Sequence, residues 1–410
     1  MLSVADALSQ ILAEAQVARP VTRPLNDALG HVLADDVHSD MDSPPFDKAL
    51  MDGYAVVASD IRPGGTSLDV IEEVTAGVVP QRMVASGEAT RIMTGAPLPE
   101  GANAVIKVEE TELDGGDPRQ VRILADSALP GQNLIRRGTN KRAGEVVVQA
   151  GTLLRAQELA ALAETGCHEV RVFPQPRVAV LATGDELVPI HSQPQPGQIR
   201  NSNETMLCAQ IQQAGAIPVP LGIARDERSE LAARIDAGVE ADVLLLSGGV
   251  SAGVLDLVPS ELQRAGVEQI FHKVNVKPGK PLWFGVLRED DRAKLVFGLP
   301  GNPVSSMVCF ELFVRPALRR LMGVDPAEPQ TVSARLAHSH SHRDDRPTYF
   351  PASISLTGDG LNVSLADWHG SSDLQSTVGT NGMVAFPPEP VEYSTGDTVE
   401  VICWSSAGIV

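Results

Sequence analysis

Hydrophobic residues recur at helical spacing near the start of the chain. The positions concerned are Val4, Ala7, Leu8, Ile11, Leu12 and Ala15. This spacing predicts an amphipathic helix over 3–17, with Ser3 and Asp6 forming a capping box at its N-terminus. A second helix is predicted over 155–165. From about 43 to 142, short Val- and Ile-rich runs alternate with Gly, Pro and Asp, which is typical of an all-β module with many turns. We therefore predict a β module inserted between two helical segments that could pack together.

Beyond about residue 175 the pattern changes to strand, loop and helix in repetition. The predicted strands and helices lie, in chain order, at 177–183, 203–216, 217–224, 242–247, 294–300 and 303–321. Continuous apolar runs of this kind predict a parallel sheet covered by helices on both faces. From about 327 to the end, short alternating runs return and predict a small β domain.

At 410 residues the chain is too long for one ordinary core. We expect four domains: a discontinuous helical/linker domain at 1–42 and 143–174, an inserted β domain at 43–142, an α/β domain at 175–326 and a C-terminal β domain at 327–410.

Polar and glycine-rich loops follow the predicted strands of the α/β domain. They are TGDE at 183–186, RD at 225–226, SGGVS at 247–251 and PGNP at 300–303. In an open parallel sheet, ligands bind in the crevice outside the carboxyl ends of the strands. We therefore expect the four loops to share one rim, a coincidence that turn formation alone does not explain.

The PGNP loop has the features of an anion site. Pro303 suits the first helical position, and Asn302 suits the cap before it. The N-terminus of the following helix then offers free N–H groups and the positive end of a dipole. Gly248 and Gly249 permit close approach of the backbone to a ligand.

Two lysines strengthen this expectation. Lys277 and Lys280 lie on a proline-stiffened turn, VKPGKP, in an otherwise acidic chain. Together with the glycine loops they predict an oxyanion or phosphate site. The alternative is a solvated turn without a ligand.

Carboxylates are predicted at the same rim. They are Asp185, Glu186, Asp226 and Asp256. Mg²⁺ is commonly held by one or two carboxylates together with substrate phosphates, so Asp185, Glu186 and Asp256 are predicted metal ligands. The alternative is helix capping, because acids are favoured at helix starts.

Composition excludes several classes of protein. The formal net charge of −19 argues against a nucleic-acid binder, which needs clustered Lys and Arg. The four cysteines include no C-x-x-C pair, so a disulfide scaffold or zinc knuckle is not expected. No apolar run reaches the length of a membrane span, and the N-terminus lacks the basic flank of a signal peptide. We expect a cytoplasmic protein.

Several ordered motifs resemble one family along essentially the whole chain. They are ALMDGYAV (49–56), RIMTGAPLPEGANAV (91–105), GQNLIRRG (131–138), TGDEL (183–187), SGGVSAG (247–253), VKPGKP (276–281), GLPGNPVS (298–305) and WHGSSDL (368–374). In this order they resemble the MoeA/gephyrin E-domain family, the molybdopterin molybdenumtransferases. The resemblance implies a multidomain α/β protein: a doubly wound, mostly parallel α/β sheet domain of the molybdopterin-binding type, an inserted all-β domain, a helical/linker domain and a small β-barrel-like C-terminal domain.

The resemblance also implies an activity. Such an enzyme takes adenylylated molybdopterin, transfers molybdate onto its dithiolene sulfurs and releases AMP, with a divalent metal such as Mg²⁺ present. Molybdopterin and molybdate would be its substrates. Partners would include a molybdopterin adenylyltransferase and molybdoenzyme apoproteins. Family members are homodimers whose site joins the sheet domain of one subunit to the β insert of the other.

The resemblance also matches site residues of the family to positions of this chain. The polar active-site residues of the family match Asp52, Thr94, Glu186, Asp226 and Asp256. Its oxyanion-binding set matches Ser251, Lys277, Lys280, Pro281, Ser305 and Ser371, and its structural prolines match Pro300 and Pro303.

The chain departs from the family pattern in three places. An expected Gly-Glu-Asp is here Gly138-Thr139-Asn140, and an expected Asp-Asn-Ser-Ala is 47–50, Asp-Lys-Ala-Leu. An expected arginine in the C-terminal domain is Pro351, with Arg346 nearby. The neutral Asn140 and the missing arginine support one alternative to an insertase, a non-catalytic molybdopterin-binding or scaffolding paralogue. A second alternative is an adenylyltransferase like the related molybdopterin-activating domain, which shares the sheet fold, although the whole N-terminal insert argues against it.

Three further groups of residues each have a functional and a structural interpretation. The histidines of HSHSH (338–342) share one face of a strand; a zinc site is conceivable, but a polar outward face of an edge strand is favoured. Ser251 and Ser305 lack the neighbouring base that a nucleophile needs. The basic residues of the insert form either a solvated face or a contact with substrate phosphate; they are Arg136, Arg137, Lys141 and Arg142.

Overall fold

The structure is a computed structural model that describes residues 1–114, 117–249, 257–289 and 292–404. The chain forms two compact units. Unit 1 comprises Met1–Arg23, Ala28–Ala34 and Val170–Val410, and unit 2 comprises Pro24–Asp27 and Asp35–Glu169. The finer division into four domains stays a prediction.

The chain begins with helix α1 (Val4–Glu14) and strand β1 (Val21–Pro24). The Ser3 hydroxyl caps α1 by accepting a hydrogen bond from the Asp6 N–H at 3.0 Å, and it donates to the Asp6 carboxylate at 2.7 Å. The apolar face of α1 buries Ile11 in the large core of unit 1. The predicted helix and its cap are confirmed, although the helix ends at Glu14 rather than 17.

Unit 2 is built mainly from short strands. In chain order these are β2 (Val37–His38), β3 (Lys48–Ala49), β4 (Gly53–Val56), β5 (Thr66–Val74), β6 (Glu88–Ile92), β7 (Ala104–Lys107), β8 (Thr111–Leu113), β9 (Gln120–Ile123), β10 (Leu134–Ile135) and β11 (Val146–Val148), and helix α2 (Ala156–Glu164) follows. A six-stranded sheet has the order β7-β4-β6-β5-β9-β8, in which β5 and β6 are parallel and the other neighbours antiparallel. One of its faces buries Tyr54, Ile106 and Val121. The predicted all-β insert is confirmed.

The centre of unit 1 is an α/β sheet. The helices and strands of this part of the chain are, in order, β12 (Glu169–Val172), β13 (Arg177–Thr183), β14 (Leu187–Val188), β15 (Ile199–Arg200), α3 (Ser202–Gln213), β16 (Ile217–Ala224), α4 (Arg228–Gly238), β17 (Val243–Ser247), α5 (Val258–Arg264), β18 (Glu268–His272), β19 (Trp283–Arg288), β20 (Ala293–Leu299), α6 (Pro303–Cys309) and α7 (Arg315–Leu321). The strand order is β16-β13-β17-β20-β19-β18, and the first four strands are parallel. Strands β19 and β18 are antiparallel additions.

Both faces of this sheet are buried. Along β13, Val178 and Val180 belong to one core, and Ala179 and Leu181 belong to another. This alternation explains the continuous apolar run, because each face meets its own layer of helices. The mostly parallel, doubly wound sheet is confirmed. So is the helix at 303–321, which is α6 and α7 joined by a π-helical segment, Phe310–Val314.

The two helices that flank the insert belong to different units. Helix α1 packs against α7 within unit 1, and α2 packs against β11 within unit 2. Direct packing of these helices on each other stays a prediction. The described residues also include short 3₁₀ helices at Leu25–Asp27, Ala58–Asp60, Val108–Glu110 and Gln375–Thr377.

The C-terminal part of unit 1 is a closed barrel. The strands are β21 (Thr331–Leu336), β22 (His340–His342), β23 (Thr348–Thr357), β24 (Gly360–Leu365), β25 (Gly382–Phe386), β26 (Val391–Tyr393) and β27 (Thr398–Cys403). The barrel order is β21-β24-β23-β25-β27, and β22 pairs with β26 beside it. The barrel-like C-terminal domain is confirmed.

The outward polar face expected for HSHSH is wrong for two of its three histidines, while His338 is exposed. His340 is half-buried and His342 is buried, and their rings stack on Phe386 with centroids 4.8 and 5.0 Å away. Aromatic packing therefore explains the alternation of histidines. Within the described residues, no three His, Cys, Asp or Glu side chains are grouped to hold a metal ion.

None of the helices in the described part of the chain has both the length and the apolar composition needed to cross a membrane.

Candidate active site

A cavity of about 1000 Å³, here called the rim cavity, opens at the carboxyl ends of β13, β16, β17 and β20. It brings together residues that the sequence places far apart. The predicted site residues that line it are Glu186, Asp226, Gly248, Gly249, Pro281, Pro300, Asn302 and Pro303. The described parts of the four strand-end loops thus share one rim, as expected, while the roles of these residues stay predictions. Ser251 and Asp256 lie outside the described residues.

Glycine is required at two positions of the rim. Gly248 has φ +96°, and a Cβ there would lie 2.6 Å from the Thr183 carbonyl oxygen. Gly249 has φ +63°, and a Cβ there would lie 2.6 Å from Val258 Cγ2. A side chain at either position would push the loop away from the end of β13, so the two glycines fix the floor of the cavity.

Free backbone donors occur at the same place. The N–H groups of Gly249, Gly301 and Asn302 make no hydrogen bond within the described part of the chain, and all three residues line the cavity. The N-terminus of α6 begins at the next residue, Pro303. Unpaired N–H groups beside a helix N-terminus attract an anion, which supports the predicted oxyanion site.

Asn302 does not cap α6 with its side chain, contrary to expectation. It is the N-cap by position, and its carbonyl accepts from the Ser306 N–H at 3.0 Å. Its amide instead donates to the Ser371 hydroxyl at 2.8 Å, and the Val304 N–H donates to the Ser371 carbonyl at 3.1 Å. The segment around Ser371 is thereby fastened to the rim. Ser305 is buried and does not line the cavity.

The acidic residues of the rim lie close together, in a cavity that Arg200 also lines. The Asp226 N–H donates to an Asp185 carboxylate oxygen at 3.2 Å, and Glu186 and Asp226 line the cavity while Asp185 does not. Burial raises the pKa of Asp226, and the charges of Asp185 and Glu186 raise it further. Because none of the three forms an ion pair with a described residue, the cluster favours a cation. It suits Mg²⁺ held jointly with substrate phosphate oxygens rather than a site made of protein ligands alone.

The two lysines do not line the rim cavity. Lys277 Nζ contacts the Asp344 carboxylate, while Lys280 is exposed. Burial opposes ionisation of Asp344, but the hydrogen bond from Lys277 and the nearby positive charges of Lys277 and Arg346 together outweigh it, so the pKa of that carboxyl is lowered. The Arg346 guanidinium donates to the Val276 carbonyl at 3.2 Å, which places an arginine beside the same turn. Pro351 is buried in β23.

Sequence reasoning missed Asn203. Its amide donates to the Ser247 hydroxyl at 2.8 Å and to the Gly301 carbonyl at 2.7 Å, so it ties two loops of the rim together. The sequence does contain a signal for the start of this helix, because Asn201 is a typical N-cap residue; it caps α3 by accepting a hydrogen bond from the Glu204 N–H. A helix that begins beside the carboxyl ends of parallel strands presents its first turn to the ligand.

Unit 2 has a local site of its own. The Asp52 carboxylate accepts two hydrogen bonds from Thr94, one from the N–H and one from the hydroxyl, each at 2.7 Å. Gly53 is required next to it, since a Cβ there would lie 1.8 Å from the Ile106 carbonyl oxygen. The structure therefore joins two predicted site residues that are 42 positions apart.

The hydrogen bonds from Thr94 lower the pKa of Asp52, the backbone bond first and the hydroxyl bond second. We expect Thr94→Val to raise this pKa towards the ordinary aspartate value, because the hydroxyl donor is lost while the N–H donor remains. Carboxyl ¹³C chemical shifts followed through a pH titration measure it. Thr111→Val, which removes an exposed hydroxyl that bonds the Val108 carbonyl, is the control. An unchanged Asp52 pKa in Thr94→Val contradicts the role given to the hydroxyl.

Two arginines of the basic cluster of unit 2 are already paired. Arg136 contacts Asp47 and Arg137 contacts Asp42, both at 2.5 Å, and all four residues belong to unit 2. Asn140 is exposed, and its N–H donates to the Ser43 carbonyl at 2.9 Å. Local ion pairs therefore account for Arg136 and Arg137, and a contact of the cluster with substrate phosphate stays a prediction.

Comparisons with known proteins cover nearly the whole chain. The MoeA N-terminal region (domain I and II) matches residues 2–166, a probable molybdopterin binding domain matches 179–320, and the MoeA C-terminal region (domain IV) matches 333–404. A molybdopterin molybdenumtransferase of Nostoc sp. is 36% identical over 92% of this chain and 86% of the relative. Molybdopterin molybdenumtransferase 2 of Mycobacterium tuberculosis is 36% identical over 98% of this chain and 99% of the relative.

A solved structure agrees. The molybdopterin biosynthesis MoeA protein from Pyrococcus horikoshii superposes with a TM-score of 0.83 at 33% identity, covering 99% of this chain and 100% of that one. The shared fold, the match to all three family regions and the gathered rim residues lead to one conclusion: the chain belongs to the MoeA family.

Proposed function

We propose that the protein is a molybdopterin molybdenumtransferase, which transfers molybdate onto the dithiolene of adenylylated molybdopterin and releases AMP. The observation that carries this proposal is the rim cavity, whose wall contains both backbone N–H donors and carboxylates that have no partner among the described residues. The N–H donors suit a phosphate-bearing substrate, and the carboxylates suit the cation that accompanies this substrate. The names of the curated relatives support the same activity.

The residues of the rim would act by positioning and by electrostatic stabilisation. The N–H groups of Gly249, Gly301 and Asn302 would hold phosphate oxygens, and Asn203 would keep the two loops that carry them in register. Glu186 and Asp226 would hold Mg²⁺. When bound, this ion would neutralise charge on the pyrophosphate as AMP leaves. No nucleophilic side chain is needed in this scheme.

Molybdate is a substrate, and its proposed contacts lie on the VKPGKP turn. Lys277, Lys280 and the nearby Arg346 supply positive charge there, although Lys277 already contacts Asp344. Ser371 would contribute its hydroxyl from the segment fastened to the rim. We propose that Asp52 and Thr94 also take part in the reaction and that the protein acts as a cytoplasmic homodimer. It would receive its substrate from a molybdopterin adenylyltransferase and pass the finished cofactor to molybdoenzyme apoproteins.

The non-catalytic alternative rests on Asn140 and Pro351, and it is not favoured. Asn140 is exposed, and its backbone N–H is bonded within unit 2. Arg346 supplies an arginine close to Lys277, in the same unit as the buried Pro351. Neither departure removes a residue that lines the rim cavity.

Reconstitution tests the proposal. Purified protein with adenylylated molybdopterin, molybdate and Mg²⁺ is expected to release AMP, and the reaction mixture should then activate a molybdoenzyme apoprotein. Omitting molybdate or adding EDTA should abolish the activation. Tight pterin binding without AMP release would overturn the proposal and favour a binding protein, in which case Asn140→Asp should restore turnover.

A further inference from the structure

A second cavity of about 1030 Å³ lies at the opposite edge of the sheet of unit 1. It is lined by Arg177 and Ile217, which begin β13 and β16, and by Ala293, which begins β20. The seven residues of β13 separate it from the rim cavity, a distance of about 20 Å at ~3.3 Å per residue. The second cavity is therefore a different place on the molecule.

Its lining carries an excess of positive charge. The cations are Arg19, Arg23, Arg177 and Arg292, here called the arginine groove, and the described acids are Asp242 and Glu289. Asp242 is paired with Arg292 at 2.8 Å and also accepts from the Arg177 N–H at 2.8 Å. Glu289 is paired with Lys294 at 2.7 Å. Both acids are thus already neutralised, in a protein whose formal net charge is −19.

Two of the arginines have no carboxylate partner among the described residues. Arg177 is exposed, and its side chain forms no ion pair there. Arg23 Nε is buried and lacks any hydrogen-bond partner in the described part of the chain. Guanidinium groups that no described carboxylate neutralises favour an anion.

The remaining wall is apolar and accessible. Val17, Val21 and Ile217 line the cavity with exposed fractions of 41%, 37% and 43%. Guanidinium groups bind phosphate through paired N–H donors, and an adjacent apolar wall suits a planar ring. We infer that the arginine groove binds a small phosphorylated ring compound, of the nucleoside monophosphate class, at a site separate from the rim cavity. This inference does not depend on the proposed function.

Hydrogen exchange on the full-length protein tests it, with AMP, adenosine and inorganic phosphate as probes. We expect AMP to slow exchange in residues 16–23, because the ligand covers that segment. Adenosine should have no effect, since it lacks the phosphate, and inorganic phosphate should act only at higher concentration, since it lacks the ring. No protection of 16–23 by AMP would overturn the inference. If AMP and inorganic phosphate protected residues 16–23 at the same concentration, the proposed contact between the ring and the apolar wall would be wrong.

Arginine variants locate the effect. Arg23→Gln/Arg177→Gln should weaken the AMP protection of 16–23 by about tenfold or more, because it removes both guanidinium groups without carboxylate partners. Arg119→Gln, which removes one positive charge from an 84% exposed side chain of unit 2, is the matched control for the single variant Arg177→Gln. If the double variant melts early, Arg177→Gln alone provides the test, since its side chain is exposed. AMP release in the reconstituted reaction should persist in these variants, which separates this site from the rim cavity. Unchanged protection in the arginine variants would refute the assignment.

Discussion

Glu186→Gln is expected to reduce AMP release by about 100-fold. The carboxylate lines the rim cavity, and no described residue neutralises it. Replacing it by a neutral amide of the same shape leaves the packing intact but removes half of the proposed contact with Mg²⁺. Initial rates of AMP release at several Mg²⁺ concentrations measure the effect. The Mg²⁺ concentration that gives half of the maximal rate should be higher for Glu186→Gln than for the unsubstituted protein.

A neighbouring acid gives the control. Glu227→Gln removes the same charge from an exposed residue that lies next to Asp226 in sequence but does not line the cavity. Its rate should match that of the unsubstituted protein. A Glu186→Gln rate within twofold of the unsubstituted protein at every Mg²⁺ concentration would show that the rim carboxylates do not hold the ion.

Gly248→Ala should also abolish most of the activity while leaving the protein folded. The new Cβ would lie 2.6 Å from the Thr183 carbonyl oxygen at a φ of +96°, so the loop after β17 must move. Displacing a binding loop by about 1 Å costs on the order of 100-fold in rate. The strain itself is about 1–2 kcal/mol, which most domains tolerate. AMP release and thermal melting together measure the two effects.

Gly360→Ala separates steric displacement from backbone strain. Gly360 has φ +107°, comparable to Gly248, but nothing lies within 4 Å of a Cβ built there. Gly360→Ala should therefore lower the melting temperature about as much as Gly248→Ala does, while the rate of AMP release stays unchanged. Retained activity in Gly248→Ala would mean that this loop does not position the substrate.

The sheet domain could be predicted from the sequence because its signals are local. Each apolar run is buried on both faces, as β13 shows with Val178 and Ala179 in separate cores. The glycine and proline loops after these strands therefore had to meet at one edge. The antiparallel strands β18 and β19 were not foreseen, since no local pattern distinguishes the direction of a buried strand.

Contacts between distant side chains could not be predicted. The pairing of Lys277 with Asp344 and the stacking of His342 on Phe386 depend on how the barrel folds beside its neighbours. The side chain of Asn302 had two possible partners, its own helix and Ser371, and the sequence favoured the wrong one. The contact between Asp52 and Thr94 was expected only from the family resemblance, because spacing alone gives no reason for it.

The closed C-terminal barrel has a consequence for assembly. Its five strands complete a ring in which each strand has a neighbouring strand on both sides, so none of them lies at an open end of the sheet. Another copy of the chain cannot extend this ring by adding a strand of its own. Any association that involves the ring must therefore be made by side chains on its outer surface, which makes such a contact open to disruption by single substitutions.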